Sequence, residues 1–285
     1  IAGLIGDQDA EIRAQVAKMF GDARYGKGGK ALVGALQDSE ARVRYHAAMA
    51  LGRVRNEAAF PALLAMLKAN DGKDAYLQHA GVMALVGDRN VTRLKQAGTN
   101  RSAAVRLAAL VAMRKLGRAE VGMFLKDRDP RLIIEAARAI NDAPIDGARP
   151  QLASLIGARP RVPEKYGTML ALRVINANFR LGGMKQAGAL AKYAADSKVK
   201  AEHRSEALFG LGIWGRPHDR DRVMGVYRPL GARSGGIAAN ALKPVINGIL
   251  ATAPEVVRLA AIECVVQLKL RESLPTVREL AADGA

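Results

Sequence analysis

Residues 38–67 read DSEARVRYHAAMALGRVRNEAAFPALLAML. Val43, Ala47, Ala50, Leu51 and Val54 fall at i, i+4, i+7, i+8 and i+11, which is one face of an α-helix. Gly52 marks the approach to a turn. A second helix opens at Phe60-Pro61, because proline in a first helical turn gives up an N–H that has no partner there. The stretch predicts a helical hairpin of about thirty residues, too small to bury its apolar face without stacked neighbours.

The same pattern recurs along the chain. Asp7 and Ile12-Arg13 precede Val16 and Ala17. Leu77-Gln78 leads to Gly81, Ala84 and Leu85, and Val105-Arg106 to Ala109, Ala112 and Met113. Asp127 and Leu132 lead to Ala136, Ala137 and Ala139. Arg204 leads to Ala207 and Leu211, and Val257-Arg258 to Ala261. The matched positions 13, 44, 78, 106 and 133 lie 31, 34, 28 and 27 residues apart. The 54 residues from Arg204 to Arg258 leave room for a weaker unit around Ile237–Leu242. Abundant alanine suits close helix approach. The expected fold is an all-α superhelix of about eight or nine hairpins, with second helices on the concave face. One continuous solenoid over 1–285 is expected, with an irregular bend at 143–165 where Pro144, Pro150, Pro160 and Pro163 interrupt the period. The segments 215–221 and 228–236 read as loops. Ile1-Ala-Gly-Leu-Ile reads as the tail of a helix, and Leu274–Leu280 as a first helix without its partner, so a piece of a longer chain is expected.

Asp7 and Arg13, and Asp38 and Arg44, six apart and followed by alanines, resemble HEAT repeats. That resemblance covers essentially the whole chain. It implies an Asp–Arg ladder between adjacent repeats, drawn here from Asp7, Arg13, Asp38, Arg44, Arg106, Asp127, Arg204 and Arg258. Gln78 and Ile133 stand where arginine is expected, and Thr252 where aspartate is, so the ladder is interrupted. A narrower resemblance rests on Asp74-Ala-Tyr-Leu-Gln-His-Ala80, Glu135-Ala-Ala-Arg-Ala-Ile-Asn-Asp142, Val174-Ile-Asn-Ala-Asn-Phe-Arg-Leu-Gly182, and Trp214-Gly-Arg-Pro with Asp221-Arg-Val and Tyr227-Arg-Pro-Leu230. This series is similar to the HEAT segment of large exported bacterial proteins. Those proteins join a sugar-dehydrogenase-like β-propeller to a c-type cytochrome. The resemblance implies a non-catalytic scaffold between redox modules, in a periplasmic or extracellular setting, with no cofactor in this segment.

The formal charge is +17, with 29 arginines and 15 lysines among 285 residues. Residues 1–142 carry a net +8, residues 143–235 a net +9 and residues 236–285 none. Such spread, with no basic tail, speaks against a nucleic-acid stripe, and arginine is the residue of choice for bidentate, partly buried pairs. At 49% hydrophobic residues the chain folds rather than staying disordered. No apolar run reaches the length of a membrane span.

Catalytic patterns are absent from the sequence. Cys264 has no second cysteine for a haem motif, a disulfide or a cysteine zinc site, and reads as a small core residue. His46, His79, His203 and His218 are never followed by glutamate, the dipeptide with which HEAT-type iron hydroxylases hold their metal. Gly26-Lys-Gly-Gly29 reads as a turn, and no nucleophile elbow, Walker loop or dinucleotide fingerprint occurs. A HEAT-like nucleic-acid-binding or repair protein is the rival reading. However, Phe20, Phe60, Phe124 and Phe209 occupy core-like positions rather than interleaving with basic residues as stacking platforms. Trp214 reads either as a plug beneath the 215–236 loop or as a contact to a neighbouring module. Asn176, Asn178 and Arg180 lie close together on one helix, suited either to backbone groups of an adjacent repeat or to a groove. With Arg216, Arg220, Arg222, Tyr227 and Arg228 they form the candidate docking surface for an acidic protein partner.

Overall fold

The computed structural model describes residues 2–158, 160 and 162–282. They contain α-helices, 3-10 turns and one isolated bridge, Arg220 to Tyr227, with no strand among them. The helices are α1 Ala10–Asp22, α2 Gly29–Ala35, α3 Ala41–Val54, α4 Phe60–Asn70, α5 Ala75–Asp88, α6 Val91–Gly98, α7 Ala103–Lys115 and α8 Pro130–Asp142. They continue as α9 Arg149–Ala158, α10 Glu164–Leu181, α11 Met184–Ala195, α12 Ala201–Gly212, α13 Gly236–Leu242, α14 Ile246–Thr252, α15 Glu255–Gln267 and α16 Leu274–Ala282. Two compact units emerge, 1–139 and 140–285, with their boundary inside α8.

In the first unit α1, α3, α5 and α7 are successive first helices, each packed on the next. The quoted stretch forms α3 and α4. Val43, Ala47, Ala50 and Leu51 are buried, and Phe60, Leu63, Met66 and Leu67 close the hairpin core. After α7 the second helix is replaced by a 3-10 segment, Ala119–Lys126, which buries Val121, Phe124 and Leu125.

Helix starts follow from their caps. The side chains of Asp9, Asp74, Asn90 and Ser102 accept backbone N–H groups of the first turn, which satisfies donors no helical carbonyl can reach. Helix ends account for part of the arginine excess. Arg24, Arg55, Arg89 and Lys269 hold positive φ just beyond α1, α3, α5 and α15. Their backbone N–H groups bond carbonyls near the helix end, and a positive charge close to that end complements the helix dipole.

Close packing of the first helices depends on glycine. A Cβ on Gly21 of α1 would lie 2.8 Å from Ala50 Cα of α3. One on Gly52 of α3 would lie 2.9 Å from Ala84 Cα and from the Met83 carbonyl oxygen of α5. Small residues on both sides let the backbones approach to this distance.

Between these helices runs an arginine ladder with a fixed local grip. Arg13 donates Nη1 to the carbonyls of Asp7 and Gln8 at 2.8 and 3.0 Å, Arg44 to those of Asp38 and Ser39 at 2.6 and 2.7 Å, and Arg106 to those of Asn100 and Arg101 at 2.9 and 3.0 Å. The remaining edge of the guanidinium grips the next repeat. Arg13 pairs with Asp38 through two bonds of 2.7 and 2.9 Å, and Arg106 pairs with Asp127 through bonds of 2.8 and 2.9 Å. The Arg13 guanidinium holds the Asp38 carboxyl below the usual carboxylate range. Asp7, Asp38 and Asp127 also each accept the N–H two residues on, which shapes the entry to the following helix.

Not every rung of the expected ladder forms in this way. Arg44 makes the carbonyl half, while Asp74 spends its carboxylate on the N–H groups of Tyr76 and Leu77. Gln78 reaches across to the Ala104 carbonyl at 3.1 Å, a neutral rung. Ile133 is buried among apolar neighbours. Arg204 donates to the Ala194 carbonyl at 2.7 Å, and Arg258 is only half-buried.

In the second unit α9, α10, α11 and α12 pack in succession, and α15 packs on α12 as one first helix on the next. Three expectations change here. Ile237–Leu242 lies in α13 rather than in a separate hairpin. With α14 it makes one second helix, split after Leu242 by Pro244, and the wide Arg204–Arg258 spacing comes from the loop 213–235 within this single hairpin. Leu274–Leu280 lies in α16, the second helix of the hairpin opened by α15, rather than in a first helix. Within 143–165, the expected irregular stretch, Pro144 precedes the regular helix α9, Pro150 lies in its first turn, and Pro163 stands at the N-cap of α10; Arg159 and Arg161 lie outside the described residues. At the N-terminus Ala2–Gly6 is a 3-10 turn instead of an α-helical tail, and Ile1 is outside the described residues.

Candidate functional site

Polar residues from the later motifs of the series, Asn141, Asp142, Asn176, Arg180, Asp221 and Arg228, meet in the second unit. The loop 213–235 leaves α12, returns at α13, and is fixed by one carboxylate. Asp221 has a fully buried side chain. Its Oδ1 accepts the N–H groups of Val223 and Met224 at 3.0 and 2.9 Å. Its Oδ2 accepts Asn176 Nδ2 at 2.9 Å and Arg180 Nη1 at 3.4 Å, with Arg228 Nη1 at 3.9 Å. The Asp221 backbone closes the turn by donating to the Val226 carbonyl at 2.9 Å and accepting the Gly225 N–H at 2.7 Å.

The network extends to the end of α8. Arg228 donates to the carbonyls of Asn141 and Asp142 at 2.7 and 2.6 Å, covering the unpaired C-terminal end of that helix. Asn176 also donates to Asn141 Oδ1 at 2.8 Å, and Asn141 donates to Asp142 at 3.0 Å. Arg173 grips Asp142 through bonds of 3.0 and 2.8 Å. Arg180 donates to the Arg228 carbonyl at 3.3 Å. Burial pushes the Arg180 guanidinium down from its ordinary value, against the pull of Asp221. Arginine nevertheless stays charged at neutral pH.

Beside this network lies an aromatic stack. Trp214 is completely buried and meets Phe179 edge-on, with ring centroids 5.9 Å apart. The Arg233 guanidinium lies 4.0 Å from the Trp214 ring and 4.6 Å from Phe179, a doubled cation–π contact. Arg233 Nε donates to the Trp214 carbonyl at 2.9 Å. Gly182, at φ +73 after α10, leaves the space Arg233 fills, since a Cβ there would collide with its guanidinium.

This geometry redistributes the candidate docking residues. Asn176, Asn178 and Trp214 are buried and Arg180 and Arg228 are half-buried; Asn176, Arg180 and Arg228 hold the loop, while Asn178 ties α10 to α9. Asn178 donates to the carbonyls of Ala153 and Val174, both at 2.9 Å. Arg216, Arg220, Arg222 and Tyr227 are exposed, and Tyr227 retains 70% of its surface. Arg220 secures the turn by donating to the Gly225 carbonyl at 2.8 Å. Arg222 pairs with Glu206 at 2.6 Å and lies over Phe209, which is half-buried rather than a core residue. Arg173 and Arg233 belong to the site although the sequence pattern does not single them out, and Asn141 and Asp142 join it from the quoted 135–142 motif. The one available signal was the density of polar residues inside the apolar helices α8 and α10.

The remaining groups have quiet environments. The Cys264 thiol donates to the Leu208 carbonyl at 2.9 Å, and burial pushes it up to about 12, far from a reactive thiolate. His203 contacts the Thr168 hydroxyl at 3.1 Å, and burial lowers its pKa below the ordinary value. It faces a cavity of about 210 Å³ lined by Leu155, Leu170, Val174, Tyr193 and Val199. Burial also lowers the pKa of His46. Among the described residues no His, Cys, Asp and Glu group has the arrangement to hold a metal ion. No helix among them is long and apolar enough to cross a membrane.

A family model described as HEAT repeats matches residues 1–86. No curated protein matches the chain. Among solved structures, an engineered protein is 16% identical with a TM-score of 0.42, over 94% of this chain and 77% of that one. The complex of CpcE and CpcF of phycocyanin lyase from Nostoc sp. PCC7120 is 19% identical with a TM-score of 0.36, over 86% and 92%. Human deoxyhypusine hydroxylase in complex with glycerol is 15% identical with a TM-score of 0.35, over 94% of both chains. Nothing about the chemistry of this chain follows from likenesses at that level. What the matched segment and the hairpin pattern establish together is an all-α, HEAT-like helical-repeat fold.

Proposed function

We propose that this chain is a non-catalytic docking module whose 213–235 loop presents a fixed surface to an acidic protein segment. The single observation that carries the reading is the loop's split character. Its base is tied down by Asp221, while its tip exposes Met224, Val226 and Tyr227 beside Arg216 and Arg220. Tyrosine supplies a large amphipathic contact area at low entropy cost, and Tyr and Arg are both enriched among the residues that dominate interface energetics. The excess of basic over acidic residues at 143–235 suits an acidic partner through steering and register. With the narrower resemblance, we take that partner to be a neighbouring dehydrogenase-like or cytochrome c module of a larger exported protein.

Photo-crosslinking from position 227, in the protein expressed from its natural gene, tests this. The expected product joins residue 227 to an acidic peptide of another module or protein. The control is position 184, equally exposed on α11 at Met184, and it is expected to give no such product. Equal labelling from both positions, or crosslinks from 227 to nucleic acid, would overturn the reading.

A further inference from the structure

One rung of the ladder in the first unit has an arginine and no carboxylate. Asp7, Asp38, Asn100 and Asp127 each stand three residues before a first helix, α1, α3, α7 and α8. Asp38 and Asp127 receive the arginine of the preceding first helix, Arg13 and Arg106. Before α5 the same position is Gly72, at φ +76, where a Cβ would meet nothing within 4 Å. Arg44 of α3 therefore meets no ladder side chain there. Its Nη1 is held by the carbonyls of Asp38 and Ser39. Its Nε and Nη2 have no acceptor among the described residues, and neither is sealed from solvent.

Arg44 lines a cavity of about 520 Å³, within the size range of small-molecule sites, whose walls include Leu36, Ala65, Met66 and Leu77. The other charged residues of the lining are Asp38, Lys73 and Asp74. Asp38 spends both oxygens on Arg13 and also accepts the Glu40 N–H. Asp74 accepts the N–H groups of Tyr76 and Leu77 and forms no ion pair with Arg44. With Arg13 counted against Asp38, the cations Arg44 and Lys73 exceed Asp74 by one charge. An apolar wall beside one open guanidinium edge is the complement of a molecule with a hydrocarbon body and a single carboxylate.

We propose that a small organic acid of this kind binds in the cavity, its carboxylate on the open edge of Arg44 and its hydrocarbon body against Leu36, Met66 and Leu77. A guanidinium edge matches the two oxygens of a carboxylate, as Arg13 and Arg106 show with Asp38 and Asp127. The bound acid supplies the group that Gly72 lacks. The site lies within the first unit and does not rest on the 213–235 loop.

Titration of the full chain with hexanoate tests the site, followed by the methyl NMR signals of Leu36, Met66 and Leu77 at constant ionic strength made up with chloride. Saturable shifts of these signals with one hexanoate per chain are expected. Acetate, which lacks the body, and 1-hexanol, which lacks the charge, are each expected to bind at least about tenfold more weakly. Arg44→Gln is expected to weaken hexanoate by a similar factor, the loss of a charge-assisted contact. Ala65→Trp fills the cavity from an exposed position and leaves Arg44 in place, so it reads the site even where R44Q fails to fold; it is expected to abolish binding. The absence of saturable shifts, acetate or 1-hexanol binding as tightly as hexanoate, or unchanged affinity in A65W would overturn the proposal.

Discussion

Replacing Asp221 with alanine lowers the stability of the protein by about 3–5 kcal/mol, the range seen when one partner of a buried ion pair is removed. The effect is large because one side chain serves several groups. Without it, Arg180 and Arg228 lose their shared carboxylate, and the N–H groups of Val223 and Met224 lose their acceptor. Arg228 then has less reason to stay on the carbonyls of Asn141 and Asp142. Asp221→Asn separates the causes, since the amide oxygen can still accept from the turn while the charge is gone. The expected order of stability in urea denaturation is unmodified protein, then D221N, then D221A. Trypsin cleavage after Arg220 and Arg222 should rise in the same order. A loss below about 1 kcal/mol in D221A, the level of an ordinary surface pair, would show that the carboxylate does not hold the loop.

The second large effect is at Asp127. Its side chain is 6% exposed and that of Arg106 is 5% exposed, the most enclosed rung of the first unit. Asp127→Ala leaves a buried guanidinium with only its two carbonyl contacts, and a loss of about 3–5 kcal/mol is expected. Asp38→Ala removes the equivalent partner from Arg13, where the two side chains are 14% and 12% exposed. Water compensates that loss better, so D38A should unfold at clearly higher urea than D127A. Equal midpoints for the two variants would mean that burial does not set the strength of the ladder.

The repeat was legible in the sequence because helix periodicity is local. Val43, Ala47 and Leu51 declare a buried face without reference to anything distant, and the rungs at Arg13 and Arg106 are the kind the resemblance to HEAT repeats implies. The pairing of hairpins in the second unit was not legible. Spacing alone cannot tell an extra hairpin from a loop inserted inside one, and Ile237–Leu242 has the apolar pattern either reading requires. Only the packing of α15 on α12 decides it. The site was half legible for a similar reason. Asn176, Asn178 and Trp214 stand out as polar or bulky groups among apolar neighbours, but their direction depends on Asp221, which lies 45 residues beyond Asn176. An aspartate in a polar loop has the same local signature whether it faces water or sits fully buried. The charge excess reads differently for the same reason. Arg13, Arg106, Arg173, Arg180 and Arg228 are engaged in the fold, and the arginine surplus at the surface is correspondingly smaller than the composition suggests.

A docking loop that is fixed before its partner arrives must protect its own amides. Native-state hydrogen exchange on the free protein measures this at the N–H groups of Asp221, Val223, Met224, Gly225 and Arg228, each bonded within the loop. Protection of about a thousandfold or more over an unstructured chain is predicted, lost together in D221A, because these amides open only when the network opens. Exchange of the same amides at the rate of an unstructured segment would contradict a pre-formed surface.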